Sequence, residues 1–420
     1  MGSLFRLAAL GAILGTATVG EAQTAADVAH LIRQSTVQAA LAAARSGEAA
    51  TIADQVRLCE IPAPPFREAA RAKALAEAFR AVGLQEVRID KAGNVLGHRG
   101  GRAARPHVVI SAHLDTVFPE GTTVRVSRKG AVLTGPGIGD NCRGLAVLLG
   151  IVRALDSAGV GTDGSLTFVG TVGEEGLGDL RGVKALFADT LAGRVDGFIS
   201  IDGNAHAIAN VAVGSSRYRV TFTGPGGHSY LDFGSANPVH ALGRAIALLA
   251  DIPVPATPRA TFGVGRVGGG TSVNAIAAEA WMEVDLRSSD AAALDTLDRQ
   301  FQQKTRQALA DENARWNQKG RLSMRVQKVG ERPAGAMALD TPMMQAAVAI
   351  TRALALPVAL VEGSTDANVP MHLGIPAIAV GSGGRIVGAH TPGESFDTTD
   401  SWRGTQRMVL LAIALARRSG

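Results

Sequence analysis

The 420-residue sequence predicts an α/β protein, a mixed and mostly parallel sheet with helices on both faces, interrupted by an inserted ferredoxin-like α+β unit. Three observations lead there. Short apolar runs at 108–112, 166–172 and 197–201 alternate with longer apolar segments of helical period, the rhythm that builds parallel sheets. Each run closes on a potential ligand: His113 and Asp115 after the first, Glu174 and Glu175 after the second, Asp202 after the third. Such sheets bind ligands beyond the carboxyl ends of their strands, so three endings of this kind are hard to ascribe to chance. Near residue 214 the rhythm changes to strand, helix, strand, strand, helix, strand and returns to α/β after 327.

Taken in order, the chain opens with Arg6 and an apolar segment from Leu7 to Val19, followed by Gly20-Glu21-Ala22. A helical bilayer span needs about 20 apolar residues. The segment is shorter than that and fits a signal peptide over 1–22 with cleavage after Ala22, so export to the periplasm or beyond is expected. The catalytic unit is expected over 23–213 and 328–420, with the insert at 214–327. An alanine-rich helical pattern covers 25–45, with Leu31, Val37 and Leu41 on its buried stripe. Helices at 50–59 and 66–82 flank a proline loop, and a strand at 86–89 leads through an Asn94 turn to the first apolar run. A buried helix over 143–156 follows the glycine-rich turn Gly135, Gly137, Gly139, and part of a helix falls at 183–187. The insert reads as strands at 215–223, 260–267, 279–286 and 322–326 with helices at 238–249 and 291–309. The last third carries helices at 341–354, 367–373 and 402–417 and strands at 357–361 and 376–380.

Composition narrows the class. An apolar fraction of 46% supports sizeable cores, and two cysteines make no disulfide scaffold. An oxidising compartment would permit one Cys59–Cys142 bridge, but two buried thiols are the simpler reading. The net charge of +5 is modest, and the basic clusters 99–105 and 125–129 lack interleaved aromatics, so they read as solvated loops with no nucleic-acid stripe.

In an extended strand end, His113 and Asp115 project to one side, which suits a metal-binding imidazole steadied by a carboxylate. Asp140 follows the glycine turn as a second hard ligand, and a late histidine stands in Gly388-Ala389-His390-Thr391-Pro392. Two imidazoles with several carboxylates suit borderline-hard divalent ions, zinc first, with manganese or cobalt behind it. Carboxylates converging without cations would repel, which argues for two ions with Asp140 between them. Of the adjacent glutamates, one can bind metal while the other takes a proton from a metal-activated water.

Together, His113-Leu114-Asp115, the turn to Asp140, Glu174-Glu175, Asp202, His390 and the inserted α+β unit resemble the M20 family of dinuclear zinc peptidases and amidohydrolases. The resemblance covers nearly all of the chain after about residue 50, and implies a zinc exopeptidase-like fold and hydrolysis of an amide or peptide bond in a small substrate. It implies His113 and Asp202 on one zinc, Glu175 and His390 on the other, and Asp140 bridging, so two Zn2+ per chain. Asp115 would orient His113, and Glu174 would be general base and then acid. The segment 224–229, GPGGHS, matches the one whose histidine reaches a neighbouring active site across a homodimer, where His228 would stabilise the oxyanion. Asn274 and Arg287 match positions that hold a substrate carboxylate. The chain departs from the pattern at Asp140-Asn141-Cys142-Arg143, where many relatives have a lysine soon after the aspartate.

Three classes compete. A di-, tri- or carboxypeptidase and an N-acyl or N-carbamoyl amino-acid amidohydrolase need the same carboxylate clamp. A silent binding protein on the same fold predicts loss of a ligand or of Glu174, and none is lost. A nucleotide-binding enzyme would need a dinucleotide fingerprint that the Gly135–Gly139 spacing misses, and Asp140 would put negative charge where phosphate should sit. His30, His98, His107, His206, His240 and His372 lack a partner pattern and read as surface or packing residues.

Overall fold

A computed structural model describes residues 19–191, 193–316 and 319–417. The main sheet has nine strands, in the order Gln85–Ile89, Val95–Arg99, Ser165–Thr171, His107–His113, Gly197–Ile201, Ala377–Val380, Ala207–Ala212 and Gly335–Ala336, with Ala359–Gly363 also paired to Ala207–Ala212. Its centre is parallel: His107–His113 runs with Ser165–Thr171 and Gly197–Ile201, and Ala377–Val380 continues beside the latter. The strands on the Gln85–Arg99 side are antiparallel. Ser165–Thr171 and Gly197–Ile201 are buried along their whole length, which explains why they read as continuous apolar runs without alternation.

Helices cover both faces. One face packs Glu48–Cys59, Ala69–Ala81, Cys142–Ser157, Pro342–Ala353 and Trp402–Leu415 over a large aliphatic core that includes Leu148, Ile110 and Ile199. The other carries the short helices at Arg181–Ala185 and Asn368–His372 around Phe187, Phe198 and Val169. The N-terminal pattern forms two helices, Val19–Arg33 and Ser35–Ser46, because Gln34 is extended with φ −66° and ψ 132°. Leu31, Val37 and Leu41 are nevertheless all buried. The first helix runs through the expected cleavage point, and the apolar segment from Leu7 lies outside the described residues except for Val19. Among the described residues, no helix is long and apolar enough to cross a membrane. Cys59 and Cys142 are buried free thiols.

The insert is a four-stranded antiparallel sheet in the order Ala260–Gly269, Glu279–Ser288, Gly214–Thr223, Ser323–Arg332, with helices Pro238–Ala250 and Ala291–Arg315 on one face. It encloses its own core around Val220, Phe222, Met282, Leu297 and Phe301. Its last strand runs beyond residue 327 to Arg332; the extra residues include a bulge between Lys328 and Gly330, which breaks the alternation there.

A further sheet has no counterpart in the periodicity. Arg385–Val387, Ser395–Asp397, Val132–Thr134 and Ser127–Lys129 pair in that order, each only three residues long. It ties the loop before Asp140 to the loop carrying His390, as Ser395 pairs with Thr134 and the Gly135 amide donates to the Glu394 carbonyl at 2.9 Å.

Arg143 sits at the junction of these parts. Fully buried, it pairs with Glu48 at 2.9 Å, donates to the Ser401 carbonyl at 2.9 Å and lies 5.4 Å from the Phe396 ring centroid. Removing one partner of a buried pair strands the other charge, at a cost of about 3–5 kcal/mol. Arg143→Met is therefore expected to lower unfolding free energy in urea by about that amount, and adding Glu48→Leu to recover part of it. A loss below about 1 kcal/mol in the single variant would show that the junction does not depend on the pair.

Candidate active site

The carboxyl ends of three adjacent parallel strands present the ligand set. His113 ends its strand, and Thr171 lies opposite it in register. Gly173 then turns the chain at φ 65°, where an added Cβ would lie 2.6 Å from the Arg181 side chain, and this turn delivers Glu174 and Glu175. Asp202 follows Gly197–Ile201 directly. Asp140 comes from the glycine turn, whose next residue, Asn141, caps the helix Cys142–Ser157 by accepting from the Gly144 amide at 3.0 Å. The same Asn141 donates to the Ile201 carbonyl at 2.8 Å, which fixes the Asp140 turn against the strand that carries Asp202.

Asp140 stands between the two histidines. Its Oδ1 is 2.9 Å from His113 Nε2 and its Oδ2 is 3.1 Å from His390 Nε2, while Glu175 is 3.0 Å from the same His390 nitrogen. Ligand atoms of His113, Asp140 and Glu175 lie within 4.8 Å of one another, and so do those of His113, Glu174 and Asp202. Two overlapping triads thus share His113, and Asp140 faces both histidines.

Asp115 is fully buried. Its carboxylate accepts from the Glu174 and Glu175 amides at 3.0 and 2.8 Å, and His113 Nδ1 lies 3.0 Å from its backbone carbonyl and 3.7 Å from Oδ1. Asp115 therefore orients both His113 and the Glu-Glu turn.

The electrostatics call for positive charge at the centre. Burial pushes Glu174 well above the ordinary carboxylate range; Arg332 opposes the shift, and the Glu175 charge adds to it. Burial, with Asp140 nearby, pushes Asp202 up to about 7. Burial would raise Asp140 too, but hydrogen bonds with His113 and His390 hold it far below its usual value. His390, in turn, is raised to about 10 by its contacts with Asp140 and Glu175. Four carboxylates and two imidazoles in this arrangement suit a pair of divalent cations, whose charge would balance Asp140, Glu174, Glu175 and Asp202.

Several residues at the site carry no motif of their own. Arg332, at the end of the insert's last strand, is buried and 3.0 Å from Glu174, with a second contact to the Glu174 carbonyl. Glu394 is fully buried, and its Oε1 accepts from the Gly139 and Asp140 amides at 2.7 and 2.9 Å, clamping the loop that carries Asp140. Its position four residues after His390 was the one available hint. Asp366 is buried against Thr171, and burial pushes it up to about 6.

Of the predicted substrate residues, Arg287 borders the cleft together with Asp140, Glu174, Glu175, Asp202 and His390. His228 and Asn274 do not join it within the chain. His228 is exposed on a two-stranded ribbon, Gly227–His228 against Ala275–Ile276, and Asn274, also exposed, directly precedes the second of its strands. His98 and His107 lie elsewhere, sharing Thr167 at 3.4 and 2.8 Å.

A sequence profile described as Peptidase family M20/M25/M40 matches residues 109–414. No curated protein sequence matches the chain significantly. Among solved structures, a tripeptidase from Staphylococcus aureus superposes with a TM-score of 0.72 at 21% identity, covering 89% of this chain and 99% of that one. A dipeptidase from Saccharomyces cerevisiae gives 0.73 at 14% identity, with 91% and 99% covered. A dinuclear metal-binding peptidase of the M20 family from Bacillus subtilis gives 0.64 at 17% identity, with 88% and 98% covered. At these identities the likenesses establish the fold. The profile spans 306 of the 420 residues and includes every residue of the two triads, and the chain belongs to peptidase family M20/M25/M40.

Proposed function

We propose that the protein is a metal-dependent exopeptidase that hydrolyses the amide bond of a small peptide bearing a free carboxylate. The observation that carries this reading is Asp140 held between His113 and His390, with Glu175, Glu174 and Asp202 around them. His113 and Asp202 would hold one cation and Glu175 and His390 the other, with Asp140 between; zinc suits this donor set best. Two bound cations would polarise the scissile carbonyl and acidify a water molecule. Glu174, which binds neither cation in this reading, would take a proton from the attacking water and return it to the leaving amine. Arg332 keeps the Glu174 carboxylate aimed into the cleft, and Arg287 presents its guanidinium fork to the substrate carboxylate.

The exposed ribbon supports a homodimer in which His228 and Asn274 complete a partner's cleft. Around it the insert exposes Tyr230, Leu231, Phe233 and Val273, an apolar surface of the kind that a second subunit covers. Export is part of the proposal, resting on the N-terminal apolar segment.

Metal-replete protein is expected to contain about two zinc per chain and to cleave dipeptides with a free carboxylate but not their amides, with chelation abolishing turnover. Cleavage confined to N-acyl or N-carbamoyl amino acids would replace the peptidase reading with an amidohydrolase one, and a metal-free protein inert on both panels would end both.

Glu174→Gln keeps the size of the side chain but removes the proton acceptor, so kcat should fall by about 10²–10⁴ with metal content unchanged. Undiminished turnover would refute the assignment.

His228→Ala is expected to lower kcat without loss of metal. Mixing that variant with Glu174→Gln chains should restore activity, because a heterodimer then holds one intact site. No recovery from subunits shown to exchange would place His228 outside the reaction.

A further inference from the structure

One face of the insert's sheet packs against its helices and the other is open. Along Glu279–Ser288, Met282, Val284 and Leu286 are buried toward the helices, whereas Glu283, Asp285 and Arg287 point the other way. On the neighbouring strand, Gly263 and Gly265 stand where a side chain would project into the open; a Cβ added at either meets nothing within 4 Å. Glycine weakens a strand and often marks either a bulge, such as the register shift between Val264 and Arg266, or a place where a ligand approaches the backbone closely.

Over these glycines lies a recess of about 550 Å³, in the size range of small-molecule sites, with Leu177 and Val329 contributing apolar walls. Its far end carries Arg266, paired with Glu283 at 3.0 Å. Gly176, Arg217 and Arg287 border both this recess and the catalytic cleft, so the two spaces adjoin. At the junction, Arg217 and Arg287 share one carboxylate, Asp285, at 3.4 and 2.7 Å, which leaves one positive charge uncompensated where the spaces meet.

We propose that this recess is the subsite for the carboxylate-bearing end of the substrate and selects a large apolar terminal side chain. The substrate carboxylate rests over the Arg217 and Arg287 pair, and its side chain lies on the bare backbone of Gly263 and Gly265. The inference rests on the hydrolase reading above and adds the class of substrate to it.

The test is the ratio of kcat/KM for two dipeptides that differ only in ending in phenylalanine or alanine, measured on metal-replete protein. Valine is at home in strands and fills the floor, so Gly263→Val and Gly265→Val are each compared with the wild type. The wild type is expected to favour the phenylalanine substrate, and each variant to lower that ratio by at least about 10-fold, the scale on which a pocket discriminates apolar groups. A ratio cancels any general loss of folded or metal-loaded protein. A ratio unchanged in both variants, or a wild type that favours alanine, overturns the subsite while the hydrolase reading stands. If the wild type cleaves neither dipeptide, nor any other substrate of the panel, the hydrolase reading fails and takes the subsite with it.

Discussion

Holding several carboxylates close together beside a buried histidine is the constraint around which the molecule is arranged. Several of the acidic groups at the centre have a fixed polar neighbour. Asp115 takes the two amides of the Glu174-Glu175 turn, Glu394 takes the amides of Gly139 and Asp140, and Arg332 takes Glu174. Unpaired ionised groups at this depth would cost several kcal/mol apiece, so these partners set how densely negative charge can be packed. What the amides and arginines leave uncompensated is the charge that a pair of divalent cations would meet.

The supporting framework explains how loops far apart in sequence keep ångström-scale register. Asn141 caps the buried helix and grips the carbonyl of Ile201, so the turn bearing Asp140 and the strand before Asp202 move together. The small sheet joining Val132–Thr134 to Ser395–Asp397 does the same for the Asp140 and His390 loops. Arg143 and Glu48 lock this region to the helical layer below.

The insert is coupled to the cleft as well as appended to the catalytic unit. Its last strand delivers Arg332 to Glu174, the Glu331 amide donates to Asp179 at 2.8 Å, and Arg217 contacts the carbonyl of Gly176 next to the Glu-Glu turn. A change in the insert's position would therefore be felt at Glu174 and at the arginines lining the cleft.

By itself the sequence determined the α/β framework, the ferredoxin-like insert and the ligand-bearing strand ends, because buried parallel strands leave continuous apolar runs and each run stops at a chemically conspicuous residue. His113, Glu174, Glu175 and Asp202 were legible for that reason, Asp140 through the glycine turn before it, His390 as a late histidine in a glycine- and proline-bounded loop, and Arg287 through its family position. The tertiary structure alone decided the partners. Glu394, Arg332 and Asn141 act through backbone amides, carbonyls and a single carboxylate oxygen across up to about 250 positions of chain, contacts that leave no periodicity. The three-residue strands of the small sheet are likewise too short to carry a pattern, and Gly263 and Gly265 acquire meaning only when the space above them is seen. Periodicity reports which face of an element is buried; it does not report which polar group waits on the other side.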